Sequence, residues 1–230
     1  MKRIYLKRTT LNAERATVFS VKSRKEHGVM DVKEAIGNRR SIRWYDDVKV
    51  PSHVVAEVLD AARRAPSGCN AQPWRFVVVQ DTATVERLKQ EDAFPQSFVF
   101  DAPAIIVCCG DPAAYAGKYG GENQGAEGSV PDDPDERKAM FSVLEGKANA
   151  RALRDVSIAS AFMVLRATEL GLGTSYIGLI NETALRSVLA IPERLIIPFV
   201  VIMGYKAQTP NKTPRKDLKE IMIGSAQGHD

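Results

Sequence analysis

Three separated stretches carry side chains suited to gripping a charged, flat ligand. Arg39-Arg40-Ser41-Ile42-Arg43 sets guanidinium groups and a hydroxyl close together, which suits charge-assisted, forked hydrogen bonds to phosphate oxygens. Ala65-Pro66-Ser67-Gly68-Cys69-Asn70-Ala71-Gln72-Pro73-Trp74 comes next. Its prolines restrict the backbone, and Gly68 lets the chain approach a planar molecule closely. Asn70 and Gln72 each offer donors and acceptors, matching an imide edge or a sugar hydroxyl. The third stretch is split between Gly171-Leu172-Gly173-Thr174-Ser175-Tyr176-Ile177-Gly178-Leu179 and the late basic run Lys212-Thr213-Pro214-Arg215-Lys216. Taken singly, each has a plainer reading: a solvated charge run, a helix-to-strand turn anchored by Trp74, and a glycine helix stop with a charged tail.

The elements that position these stretches follow from periodicity. Residues 31–38 read as a short helix, with Asp31 as N-cap and Val32, Ala35 and Ile36 on one face. Ser52 caps a second helix running to about Ala65, where Pro66 stops it. Residues 76–79 and 104–109 are apolar, β-branched runs that read as buried strands, with a helix over 82–90 between them. A long helix covers 151–170, carrying Val156, Ala159, Phe162, Met163, Leu165 and Ala167, and Gly171 and Gly173 end it. Asn181 caps a helix to Leu189, and residues 196–205 supply the last core strand. Residues 110–136 are rich in Gly, Pro and Asp, as expected of a functional or mobile loop. The wider stretch 110–149 is expected to form a substrate lid. Its Tyr115, Tyr119 and Phe141 are either substrate contacts or packing residues.

Composition narrows the class. The chain has 230 residues, 44% hydrophobic and 26% charged, enough for one domain with a substantial core. No window approaches 18 consecutive apolar residues, so no membrane span is expected. Cys69, Cys108 and Cys109 form neither an even framework nor a CxxC pair, which argues against a disulfide scaffold or structural zinc and suits a reducing, cytoplasmic compartment. Cys69 has no adjoining resolving cysteine and reads as a small packed residue. The three histidines, His27, His53 and His229, are scattered, leaving little for a metal site. Net charge is +4, but residues 1–29 hold eight basic residues against two acidic ones. They account for +6, so the rest carries 4 − 6 = −2. The body is therefore no nucleic-acid binder. Residues 1–29 read as a basic N-terminal extension: a solvated arm, a transit-like leader, or a stretch ahead of a true start at Met30. No repeat or linker divides 30–230, which is expected to be one domain.

Together the stretches resemble the nitroreductase family. R-R-S-x-R, P-S-G-x-N-x-Q-P-W, G-L-G-T, a strand ending in Gly204-Tyr205, and Arg215-Lys216 occur in the family's order, from Asp31 to about Ile223. The P-S-G-x-N-x-Q-P-W string is the specific one. The resemblance implies an α+β fold with a mixed, mostly antiparallel central sheet flanked by helices, in an intertwined homodimer. It implies bound FMN with NADH or NADPH as electron donor. Arg39, Arg40 and Ser41 match the contacts to the FMN phosphate and ribityl chain, and Arg43 matches a cation near the pyrimidine edge of the ring. Pro66, Ser67, Gly68 and Asn70 match the loop that reaches the flavin from the partner subunit. Ile177, Gly178 and Leu179 match the stretch running past the flavin, where a backbone N–H faces N5. Arg215 matches a late phosphate-binding arginine that Lys212 could assist.

The implied reaction is ping-pong: NAD(P)H reduces the flavin, then a nitroaromatic, quinone or related small acceptor is reduced in the same cleft. Protons can come from water, so no catalytic side chain is assigned. Two departures bear on substrate. The Asn and Lys that some members place between the first two strands are missing around Phe94-Pro95-Gln96-Ser97-Phe98. The Glu, Tyr and Lys lid of the deiodinase branch has no match. Alternative readings are ene reduction, aromatic dehydrogenation, or flavin storage without turnover.

Overall fold

Two apolar runs become the neighbouring central strands of one sheet. In the computed structural model, which describes residues 30–115, 133–136, 139 and 146–224, β2 (Ala104–Gly110) pairs antiparallel with β4 (Ile196–Tyr205), Ala104 opposite Met203. β1 (Trp74–Val79) lies outside β2 and β3 (Leu172–Ile177) outside β4, both antiparallel, giving the order β1-β2-β4-β3. Among the described residues, parallel pairing is confined to an isolated bridge between Ser41 and Thr174. The extension 1–29, Tyr119, Phe141 and most of the expected lid lie outside the described residues.

The central strands are apolar at successive positions because helices cover both faces of the sheet. Side chains alternate along a strand. Ala104, Ile106 and Cys108 face α2 (Ser52–Arg63) and α4 (Ala148–Glu169), joining Val54, Val58, Val156, Ala159, Met163 and Ala167 in one core. Ile105, Val107 and Cys109 face α3 (Thr82–Gln90) and α5 (Glu182–Leu189), joining Leu88, Leu185 and Val188 in a second. The burial of Cys109 pushes its thiol up to about 11, and all three cysteines are free thiols.

Most boundaries fall where periodicity puts them, and the exceptions have local causes. The N-cap of α2 is Pro51, not Ser52, and no side chain caps it. That helix stops at Arg63, and the N–H groups of Arg64 and Ala65 close tighter bonds onto Ala61 and Ala62. Pro66 disfavours helical geometry at the residue before it. In α1 (Val32–Asn38) Asp31 and Glu34 form a capping box, but only Ala35 is buried; Val32 and Ile36 are exposed. Phe162, one of the apolar residues carried by α4, is also exposed. Gly171, at φ 81°, ends α4. Gly173 does not: it lies inside β3, a strand the glycine-rich sequence conceals, since glycine is depleted in strands. From Lys206 the tail is largely exposed, with one short helix, α6 (Leu218–Ile221). No described helix is long and apolar enough to cross a membrane.

Candidate functional site

The Arg39–Arg43 run leaves α1 in extended conformation and docks along the start of β3. Arg39 is the C-cap of α1. The Ile42 N–H donates to the Thr174 carbonyl at 2.9 Å, beside the Ser41–Thr174 bridge. Ile42 points inward onto Gly173, where an added Cβ would lie 2.7 Å from the Ile42 Cβ. Glycine at 173 is therefore what lets the run sit this close. The chain then crosses the end of β4, where Ala207 N–H donates to Trp44 O and Asp46 N–H to Tyr205 O.

Alternation leaves Ser41 half-buried and Arg43 exposed, the latter with its guanidinium 5.8 Å from the Phe98 ring centre. Arg40 turns back, donating to the carbonyls of Gly37 and Arg39 at 2.9 and 2.6 Å, where a cation complements a helix C-terminus. The Arg39 guanidinium makes no hydrogen bond or ion pair among the described residues. A small cleft of about 60 Å³ lies beside these residues, lined by Asn38, Arg39, Arg40, Gly173, Lys206 and Gln208 among others. Lys206 and Gln208 were not foreseen; they belong to the segment leaving β4.

At the far end of β3, Tyr176 is partly exposed, packs edge-on to Phe199 at 5.2 Å, and shares a 3.0 Å hydrogen bond with the Ser160 hydroxyl. Burial raises its phenol above the usual value, against the lowering effects of Ser160 and Arg39. Ile177 is buried. Gly178 has open space where a Cβ would stand, and Leu179 is exposed. In the loop before β2, whose Phe98 ring faces Arg43, Gln96 holds its buried Oε1 without a hydrogen-bond partner among the described residues. An unpaired buried amide oxygen costs free energy unless something completes it.

The 66–72 turn is built elsewhere, on the N-terminal half of α4. Pro66 and Asn70 are exposed, and Ser67 and Gly68 half-buried. The Gly68 N–H donates to Asp155 Oδ2 at 2.8 Å, and Gln72 N–H to Ser67 Oγ at 2.9 Å. Asp155 also accepts from the Tyr115 hydroxyl and from Arg154. Tyr115, weighed as a lid contact or a packing residue, is buried against Ala71 and Ala152 and packs. Its phenol is raised, first by burial and then by the Asp155 carboxylate. Asp155 escaped the sequence reading, although a carboxylate within the stripe Ala152, Val156, Ala159 and Met163 was a visible anomaly.

Within one chain these pieces stay apart. The cleft beside Arg40 reaches Thr168, whereas the turn is anchored at Asp155, 168 − 155 = 13 residues earlier on α4, or about 20 Å along the helix. No hydrogen bond or ion pair joins the turn to the arginine run among the described residues. Lys212 and Arg215 are exposed, and Arg215 donates to Thr213 Oγ1 at 2.7 Å within its own loop, so neither is bonded to the run. No group of three or more His, Cys, Asp or Glu among the described residues could hold a metal ion.

Comparison with known proteins converges with this geometry. Residues 36–205 match the family model described as Nitroreductase family. The NADH dehydrogenase of Thermus thermophilus is 30% identical, over 85% of this chain and 96% of its own. An FMN reductase (NAD(P)H) of Bacillus subtilis is 26% identical, over 80% of this chain and 70% of its own. A crystal structure of a nitroreductase-like protein from Streptococcus mutans superimposes with a TM-score of 0.71 at 25% identity, covering 83% of this chain and 96% of that one.

Proposed function

The chain belongs to the nitroreductase family and is an FMN-using, NAD(P)H-dependent oxidoreductase; we propose that it works in the cytoplasm as a homodimer, reducing nitroaromatics, quinones or related acceptors by a ping-pong mechanism. The observation that carries the site assignment is the docking of Arg39–Arg43 along β3. It sets the Arg39 guanidinium, which has no hydrogen-bond or ion-pair partner among the described residues, by the start of that strand, and the bare backbone of Gly178 lies beyond its end. Thr174 and Gly178 are about 13 Å apart at strand rise, a span suited to a phosphate joined by a short chain to a flat ring.

The residues present fit FMN. Arg39, Arg40, Ser41, Lys212 and Arg215 supply donors and positive charge for the phosphate and ribityl chain. Lys206 and Gln208, in the same cleft as Arg39, add to that set. The orphaned Gln96 Oε1 is an acceptor of the kind an imide N–H completes. Gly178, lacking a Cβ, leaves its face open to a ring, and Ile177 and Leu179 flank it.

When bound, FMN supplies a carrier that accepts hydride from NAD(P)H and passes the electrons to a second substrate. Arg43, exposed and facing the Phe98 ring, would offer a positive charge to the pyrimidine edge of a bound flavin and would stabilise negative charge there. Arg39 and Ser41 would hold the phosphate and so help to position the cofactor. Pro66, Ser67, Gly68 and Asn70 close the site from a second copy, a reading supported by the separation of turn and arginine run within one chain. Exposed apolar side chains also support a dimer: Val32 and Ile36 on α1, Trp44, Phe162, Leu179, and Leu218, Ile221, Met222 and Ile223 in the tail. Uncovered apolar side chains of this kind favour burial against a second copy.

Steady-state turnover with NADH and NADPH against a quinone and a nitroaromatic tests the activity. Parallel double-reciprocal lines support ping-pong transfer, and intersecting lines contradict it. Reduction of bound flavin with no reoxidation by any acceptor would indicate storage.

A further inference from the structure

Asp155 lies in the apolar stripe of α4 with no solvent exposure. A carboxylate there is tolerable only if donors surround it. Three do: the Gly68 N–H at 2.8 Å and the Tyr115 hydroxyl at 2.7 Å on Oδ2, and Arg154 Nε at 2.6 Å on Oδ1. Burial raises this carboxyl, but Arg154, Tyr115 and the Gly68 N–H together outweigh it and hold it below the usual value.

The turn this carboxylate grips is strained. Cys69, Asn70 and Gln72 have φ of 53°, 48° and 49°, left-handed geometry that side-chain-bearing residues hold only when their surroundings enforce it. The backbone N–H groups of Asn70, Ala71 and Gln72 donate to Ser67 and Gly68 and close the turn on itself. The Gly68–Asp155 bond instead ties it to the body of the protein. Above it, Arg151 covers the Tyr115 ring at 4.5 Å and sets a nitrogen 3.8 Å from Cys69 Sγ. Nitrogens of Arg151 and Arg154 stand 2.8 Å from where a Gly68 Cβ would be. The turn is thus held between a buried anion and two cations.

We propose that Asp155 is a positioning residue for the flavin site: through the Gly68 N–H it imposes the left-handed geometry of the 67–72 turn and so sets where Ser67, Gly68 and Asn70 meet the flavin. The role rests on the reading of this turn as a flavin contact. Asp155 needs no contact with the cofactor, since it acts through the backbone.

The test uses the full chain with Asp155→Asn and Tyr115→Phe, and Val164→Ala as a control that removes buried methyls of the same helix away from the turn. Amide exchange of a peptide spanning 67–73, measured without flavin, reads the turn; FMN and riboflavin titrations read the site. Asp155→Asn should speed exchange of that peptide and weaken both flavins, each by about tenfold or more, as expected for a compromised buried charge-assisted bond. Tyr115→Phe, which leaves the Gly68 bond in place, should move both readouts in the same direction by less. Val164→Ala should lower the melting temperature while leaving the 67–73 peptide and both affinities near wild type. Unchanged exchange in both Asp155→Asn and Tyr115→Phe would overturn the role whatever the flavin does. Faster exchange with unchanged flavin affinity would also overturn it, by showing that the turn is positioned for something else. Equal effects from Val164→Ala would reduce Asp155 to general stability and sink the proposal. A wild-type protein that takes up no FMN overturns the flavin reading itself, and the exchange data still say whether Asp155 holds the turn.

Discussion

Alanine at Gly173 and at Gly178 should separate folding from cofactor binding, because the two glycines of one strand region meet opposite surroundings. At Gly173 the new methyl would fall 2.7 Å from Cβ and Cγ1 of Ile42 and 2.8 Å from Cγ2. Ile42 is buried, stiff at χ1 and held by its N–H on Thr174, so it cannot swing aside cheaply. Overpacking of this kind costs about 1–3 kcal/mol. At roughly 2–4 °C per kcal/mol for a domain of this size, the flavin-free melting temperature should fall by roughly 2–12 °C. At Gly178 nothing lies within 4 Å of the added carbon. An exposed substitution of that kind stays within about 0.5 kcal/mol, so the flavin-free protein should melt within about 2 °C of wild type. The same methyl would intrude on the ring, and the same overpacking cost should weaken FMN and riboflavin alike by roughly 5- to 150-fold. Thermal unfolding without flavin and fluorescence titration with each flavin give both numbers. The reasoning fails if Gly178→Ala destabilises the flavin-free protein as much as Gly173→Ala does, or if it binds both flavins like wild type.

Arg39→Ala should cost FMN about 1.5–3 kcal/mol of affinity, one lost charge-assisted contact, and leave riboflavin nearly unaffected; calorimetry showing equal losses would place Arg39 away from the phosphate. Gln96→Met should relieve an unpartnered buried acceptor, raising the flavin-free melting temperature while weakening flavin binding; a lower melting temperature would mean that the amide already has a partner. Because the Asp155 carboxyl is held below its ordinary 3.8, its contribution is complete above that pH and lost as pH falls through the lower folded value. The melting-temperature gap between wild type and Asp155→Asn should therefore be constant above about pH 5 and close in stronger acid; a gap that closes between pH 7 and 5 would assign the effect to another group.

How much of this was legible in the sequence depended on whether the determining contacts were local. The α3 and α5 helices and β4 carry caps or uninterrupted apolar runs within their own residues, and they lie where pattern puts them. β3 was missed because Gly171-Leu172-Gly173 reads as a helix stop; Gly173 is a strand residue only because Ile42, distant in sequence, must pack against it. The outward side of Val32, Ile36 and Phe162 could not be read from helical spacing, which shows that apolar residues share a face but not which neighbour covers it. At the candidate site the arginine run and Gly178 were named from residue type and family order. Lys206, Gln208, Gln96 and Asp155 were not, because their interest comes from a cleft, an orphaned oxygen and a buried charge that exist only once the chain has folded.

The decisive property is whether this chain holds and reduces FMN. The measurement is the visible absorption spectrum of the purified protein, with release and quantification of the bound chromophore, followed by anaerobic addition of NADH or NADPH. The expected result is a yellow protein that contains or takes up one FMN per chain, whose flavin absorbance bleaches with either nucleotide and returns when a quinone is admitted. A colourless protein that cannot be loaded with FMN, or one whose bound flavin neither nucleotide can bleach, would contradict it.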